Sequence, residues 1–360
     1  MLPYQAVCAE MNAFPEFLPW QRDTASAWLE NRERFAHAWL IHGMPGIGKR
    51  HFALAGAASL LCETPEEGLA CGTCQACKWL AAGNHPDIRR IRPDAVALEE
   101  GVPGAEVESG GSTAKKTPSR EIRIEQLREL AAWFNTATHQ GGWRVAVLYP
   151  AQALNVISAN ALLKVLEEPP PHTVFLIVAD APDRLLPTLA SRCRRLPLPV
   201  PPITDSLEWM AQRGIKDPAS WLAAASNAPV RAYRFAASGA KACPDWLVEF
   251  LRLSVGNSAN PDVATIADVL EKQQAEVWID TLQRLFVDLL LTRSGLAPRY
   301  FPSLDAAQTV GQHASFQRLA DAAKWLGEQR AIANHPLSAK LFVHSTLQRA
   351  VLACQPVHQS

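Results

Sequence analysis

Hydrophobic positions in the first half of the chain follow two alternating styles. Three stretches are continuous apolar or β-branched runs: "AWLIH" at 38–42, "RVAVLY" at 144–149 and "TVFLIVA" at 173–179. Uninterrupted runs of this length predict strands of a parallel sheet covered on both faces. Segments of helical composition separate them: "FALAGAASLLC" soon after the first run, "IEQLRELAAWFN" at 124–135 and "ISANALLKVLEE" at 157–168. The last stops at Pro169, Pro170 and Pro171, which cannot continue a helix. Alternation of this kind predicts a doubly wound α/β domain over about the first 200 residues.

After "PLPVPP" at 197–202, a stiff connector, the pattern turns helical throughout. "DPASWLAAAS", "VRAYRFAASG", "PDWLVEFLRLSV", "VWIDTLQRLFVDLLLTRSG" and "KLFVHSTLQRAVLAC" repeat apolar residues at three and four, the spacing of amphipathic helices. They predict packed bundles without chemistry. Residues 99–119, "EEGVPGAEVESGGSTAKKTPS", carry four glycines and two prolines and predict a mobile surface loop.

Composition narrows the class. Hydrophobic content of 48% with 19% charged residues suits a soluble chain with large cores, and 360 residues suffice for two or three domains. Zero net charge argues against a protein that grips nucleic acid unaided. No apolar run reaches the roughly 18 residues of a membrane span, and "MLPYQAVCAEMNAFPEF" lacks the features of a secretory signal. The expectation is a cytoplasmic protein with no membrane partner.

Four of the eight cysteines, Cys62, Cys71, Cys74 and Cys77, are separated by eight, two and two residues. Thiolates this close in sequence can converge on a tetrahedral Zn²⁺, and a closed four-Cys site is structural. An iron–sulfur cluster is the second reading, but its pattern wants a Cys-Pro four residues after Cys77, where Lys78-Trp79-Leu80-Ala81 stands. Four reduced, unliganded thiols are the third. Cys8, Cys193, Cys243 and Cys354 are scattered and read as small apolar residues.

"HGMPGIGKR" at 42–50 joins the first strand to the first helix, the context that a phosphate-binding loop requires. Gly43, Gly48 and Lys49 fit the pattern, and Gly46 adds a third loop glycine. Arg50, however, stands where a Ser or Thr should ligate Mg²⁺. The run at 144–149 ends in Tyr149-Pro150, with no carboxylate to hold the metal. Backbone N–H groups and Lys49 still favour phosphate, so ATP binding stays open while hydrolysis is not expected. "LASRCRR" at 189–195, taken alone, reads as a basic surface turn.

Together, "GMPGIGK", the four-cysteine insert, "GNHPDI" at 83–88, "SANALLKVLEEPP" at 158–170 and "LLPTLASRC" at 185–193 resemble the AAA+ clamp-loader subunits of bacterial DNA polymerase III. The match covers most of the first 195 residues, in the family's order. The resemblance implies an α/β P-loop (AAA+) core with its zinc module over 1–198, a small helical lid over 199–241 and an all-α collar over 242–354. It implies a hetero-pentameric ring with gamma/tau and delta subunits, acting on primer-template DNA and the sliding clamp. It also implies that Arg192, in the Ser-Arg-Cys stretch, acts as an arginine finger on a neighbouring subunit's ATP. Arg194 and Arg195 read as solvated or partner-facing charges. In the family's motor subunits the loop ends in Ser or Thr and the second strand in acids; the Arg50 and Tyr149-Pro150 departures match its non-motor branch. Ala179-Asp180 stands where motor subunits place a small polar sensor, and Arg231 falls where a second sensor would lie. The leading reading is a non-hydrolysing structural subunit. An active gamma/tau-like ATPase and a zinc-bearing nucleic-acid binding module are the alternatives, separated by ATP turnover and by salt-dependent DNA binding of the isolated chain.

Overall fold

Each central strand alternates its side chains between two separate cores. The computed structural model describes residues 14–30, 32, 35–101, 118–134, 136, 138–139, 142–255, 261–333 and 338–356. Among the described residues five strands form one sheet: β1 (Ala38–His42), β2 (Ile88–Ile91), β3 (Arg144–Leu148), β4 (Thr173–Ala179) and β5 (Arg194–Pro197). All pairings are parallel, in the order β2-β3-β4-β1-β5, with Leu40 opposite Ile177 on one side and Arg195 on the other. Trp39, Ile41, Val145, Val147, Val174 and Leu176 face a core shared with Phe52, Ala53 and Ala57 of the helix Lys49–Leu61. Ala38, Leu40, Ala146, Leu148, Phe175 and Ile177 face the opposite core. There they meet Leu127 and Leu130 of the helix Ile124–Phe134 and Leu162 and Leu166 of the helix Val156–Glu167. Helices therefore cover both faces, as the continuous apolar runs require.

The edge strands β2 ("IRRI") and β5 ("RRLP") escaped the pattern reading, which found only the three central strands. Edge strands are half-solvated and tolerate charge and proline, both of which discourage pairing with another chain. The arginines of β5 are exposed, with the Arg194 guanidinium 5.1 Å from the Trp39 ring centroid.

The chain divides into two compact units. The first comprises residues up to Arg213 together with Ala228–Ser238; the second comprises Gly214–Asn227 and Gly239 onward. Residues 199–241 thus contribute to both. Among its described residues the second unit has helices and no strand. Its longest helix, Ala275–Arg293, buries Trp278, Ile279, Leu282, Leu285, Phe286 and Leu289, the three-and-four spacing of an amphipathic stripe. Against that stripe pack Val310, Leu319, Leu326, Leu347 and Val351 from three further helices. Asp288 is fully buried on the long helix and accepts the backbone N–H groups of Arg299 (2.7 Å), Tyr300 (3.0 Å) and Phe301 (2.7 Å). Burial pushes its carboxyl upward and those three N–H groups pull against the shift. Among the described residues no helix is long and apolar enough to cross a membrane.

Candidate functional site

β1 delivers the glycine loop to the end of the sheet where β4 also finishes, so His42 lies opposite Ala179. Three of the loop's carbonyls are engaged by groups outside it. Gly46 O accepts from Val230 N (3.1 Å) and Arg231 N (3.3 Å) at the first turn of the helix Pro229–Ala237. Ile47 O accepts from Trp20 Nε1 (3.1 Å), and Gly48 O from Gln21 Nε2 (2.9 Å). Two glycines make this closeness possible. A Cβ at Gly46 (φ 83°) would sit 2.5 Å from the Arg231 Cβ, and one at Gly48 (φ 94°) 2.4 Å from Leu18 Cδ1. Both also occupy the left-handed region that favours glycine. Gly43 approaches the Leu198 carbonyl in the same way.

The loop's cations are already paired. Lys49 is 4% exposed; its Nζ lies 2.6 Å from Asp180 Oδ1 and also donates to the Met44 carbonyl. Burial pulls this ammonium below the ordinary lysine range, and Asp180 works against that. Asp180 is fixed in turn by Gln152, whose Nε2 donates to Oδ2 at 3.1 Å. Arg50 turns to Glu100, with Nη1 and Oε1 2.8 Å apart. Glu100 also has Arg92 Nε at 2.8 Å and accepts from the Tyr149 hydroxyl at 3.2 Å. Burial, then the Glu100 charge, raises the Tyr149 phenol.

Arg50 and Tyr149, the two residues that depart from the sequence pattern of a phosphate loop and its metal site, are thus tied together by one carboxylate. Sequence reading missed Glu100, because it assigned 99–119 to a surface loop. Glu99 instead ends the helix Asp94–Glu99 and Glu100 is buried; residues 102–117 of that stretch lie outside the described residues. The local signal was weak: an acid beside glycine reads as solvent-facing, and only tertiary packing supplies two arginines.

The cysteines converge. The Sγ atoms of Cys62, Cys71, Cys74 and Cys77 all lie within 4.8 Å of one another. Cys62 is 3.5 Å from Cys71 and 3.8 Å from Cys74, while Cys71 is 4.0 Å from Cys77. A tetrahedron with metal–sulfur bonds of about 2.3 Å has edges of about 3.8 Å, so these separations suit one ion at the centre. Backbone N–H groups of Cys71, Cys74 and Cys77 donate to the sulfurs of Cys62, Cys71 and Cys74. The Thr64 and Thr73 hydroxyls donate to Cys71 and help hold its thiol down at about 5. Cys77 is pushed up, chiefly by burial and by the Cys74 thiol. Of the remaining cysteines, Cys193 and Cys354 are buried and Cys243 half-buried; Cys8 lies outside the described residues.

Arg192 is not part of the loop. The chain leaves β4 beside His42, returns through the one-turn helix Pro187–Ala190, and enters β5 with Arg194 opposite Trp39. Arg192 therefore stands toward the start of β1, about 13 Å of strand away from the glycine loop. Its side chain is 35% exposed, with Nη1 donating to Thr188 O (2.8 Å) and Nη2 to Glu167 Oε1 (2.5 Å). Arg231 meets the loop through its backbone, and its guanidinium lies 5.2 Å from the Phe235 ring centroid.

The family model for the delta subunit of DNA polymerase III matches residues 26–202. The chain is similar to DNA polymerase III subunit delta' of Pseudomonas aeruginosa, 39% identical over 230 residues. That alignment covers 63% of each chain, a little under two thirds of the relative's length. Similarity to subunit delta' of Yersinia pestis is 31% identity over 267 residues, covering 72% of this chain and 71% of that one. DNA polymerase III subunit tau of Escherichia coli is 31% identical over 160 residues, covering 44% of this chain and 21% of tau.

Proposed function

The chain belongs to the delta-prime family of DNA polymerase III subunits, and we propose that it serves that polymerase's clamp loader as a subunit that docks but does not hydrolyse ATP. The observation that carries this reading is the 2.8 Å pairing of Arg50 with Glu100. Where a working loop hands a hydroxyl to Mg²⁺, this one presents a cation, and the carboxylate beside it is already neutralised by two arginines. Lys49 supports the same reading: a triphosphate must displace Asp180 before this ammonium can serve it. Gly43, Gly46, Gly48 and Lys49 thus form a cradle in which ATP binding without turnover is the most that is expected.

Arg192 is then the residue through which the subunit acts. It lies far from its own loop and is partly exposed, as a finger offered to another subunit's ATP must be. Its planar, permanently charged fork suits phosphate oxygens. The four cysteines hold a structural Zn²⁺ that closes the insert and takes no part in chemistry. Residues 1–198, 199–241 and 242–354 serve as AAA+ core, lid and collar in a cytoplasmic hetero-pentameric ring with gamma/tau and delta. Through that ring the chain works on primer-template DNA and the sliding clamp.

The test is co-purification with gamma/tau and delta subunits, followed by ATPase assays with and without this chain. The complex should assemble, and the isolated chain should show no turnover above background with Mg²⁺ and primed DNA. Robust turnover by the isolated chain, abolished in Lys49→Ala, would sink the reading.

A further inference from the structure

Arg192 is anchored at its backbone by its neighbours. Leu189 and Cys193 are buried on either side of it, and Cys193 Sγ bonds to Leu189 O. What remains free is a long side chain, which loses much rotamer entropy whenever it is held in one geometry. Two contacts take up that freedom: Thr188 O receives Nη1, and Glu167 Oε1 receives Nη2. They come from different elements, so together they fix both the position and the plane of the guanidinium. Glu167 is itself well founded. It closes the helix Val156–Glu167, which is capped by Asn155 and buried through Ser158, Ala159, Leu162 and Leu166.

The placement of this acid is not explained by its helix. A carboxylate in the last turn works against the helix dipole, so helix stability gives no reason for it; the guanidinium does. We infer that Glu167 is a positioning residue for Arg192, presenting the finger in a fixed orientation to the neighbouring subunit's ATP. This inference rests on the assignment of Arg192 as the finger. The hydrogen-bond count permits it: one hydrogen on each terminal nitrogen is used, and Nε–H and the outer hydrogens remain for phosphate oxygens. Charge cancellation by Glu167 is a small effect, because the pair is 35% and 51% exposed and water screens it. Orientation is the larger consequence.

The experiment uses the full-length chain assembled with its clamp-loader partner subunits, with steady-state ATP turnover measured on primed DNA and clamp. Glu167→Ala should lower kcat about two- to fivefold, with KM for ATP unchanged, since only the alignment of a transition-state contact is lost. Glu167→Gln should recover part of the loss, because its amide oxygen still accepts from Nη2. Adding Glu167→Ala to Arg192→Ala should change nothing further. Size-exclusion profiles must match wild type; should the alanine variant fail to assemble, the Gln variant carries the same comparison. If Arg192→Ala lowers turnover while Glu167→Ala leaves it unchanged or raises it, the positioning role is overturned and the finger stands. An equal Glu167→Ala loss in the Arg192→Ala background also overturns it. If Arg192→Ala itself has no effect, the finger assignment fails and this inference falls with it.

Discussion

Glu100 has Arg50 and Arg92 at 2.8 Å each and Tyr149 at 3.2 Å, so Glu100→Ala strands two cations at once. Removing one partner of a buried ion pair typically costs about 3–5 kcal/mol. The arginine side chains are 20% and 12% exposed and can turn partly toward water, which favours the lower end, about 3 kcal/mol. Arg50→Ser should cost less, about 1–2 kcal/mol, because Glu100 keeps Arg92 and the tyrosine hydroxyl. Since the chain has two units, a single global melt would mix their transitions. Hydrogen exchange of the β1 and β3 amides reports the opening of the α/β unit alone. There a loss of about 3 kcal/mol appears as roughly 100-fold faster exchange, at about 1.4 kcal/mol per decade. Arg50→Ser should gain no ATPase, because Lys49 stays paired with Asp180 and Tyr149-Pro150 offers no carboxylate. Glu100→Ala exchanging at the wild-type rate, or Arg50→Ser proving the costlier change, would refute the account of this cluster.

The four-thiol site should bind one Zn²⁺ per chain; Cys74→Ser or acidification, which protonates the thiolates, should release it and destabilise the insert. Metal analysis of freshly folded protein checks this, and a zinc-free folded sample would overturn it. If the chain serves the proposed ring, Arg192→Ala should leave folding and assembly intact while cutting the complex's ATP turnover only in part, since other sites in such a ring would draw on other subunits. Unchanged turnover and clamp loading would redirect attention to Arg194. Gly46→Ala must move Arg231 and adopt a positive φ, so it should cost about 1–3 kcal/mol, read from faster exchange in the helix Pro229–Ala237. Asp288→Ala takes the acceptor from three N–H groups, the buried one of Phe301 among them, and should cost the helical unit about 2 kcal/mol, seen as lost protection at residues 299–301; wild-type protection there would contradict it.

Three central strands, the glycine loop between β1 and its helix, and the cysteine quartet were all legible in the sequence. Each is encoded locally. A strand buried on both faces must be apolar at every position, a phosphate loop needs glycines at fixed offsets, and four thiols within sixteen residues can hardly avoid one another. Arg50 and Tyr149 were likewise visible as departures from the motif's letters. What the charged side chains pair with was decided by tertiary structure. Lys49 reaches Asp180, Arg50 reaches Glu100, and Arg192 reaches Glu167 across separations that no periodicity records. The edge strands were hidden for a related reason, since a half-solvated strand may carry arginine and proline without penalty and so loses the apolar signature. Local chemistry writes itself into neighbouring letters, whereas an ion pair is chosen by which surfaces the fold happens to bring within about 3 Å.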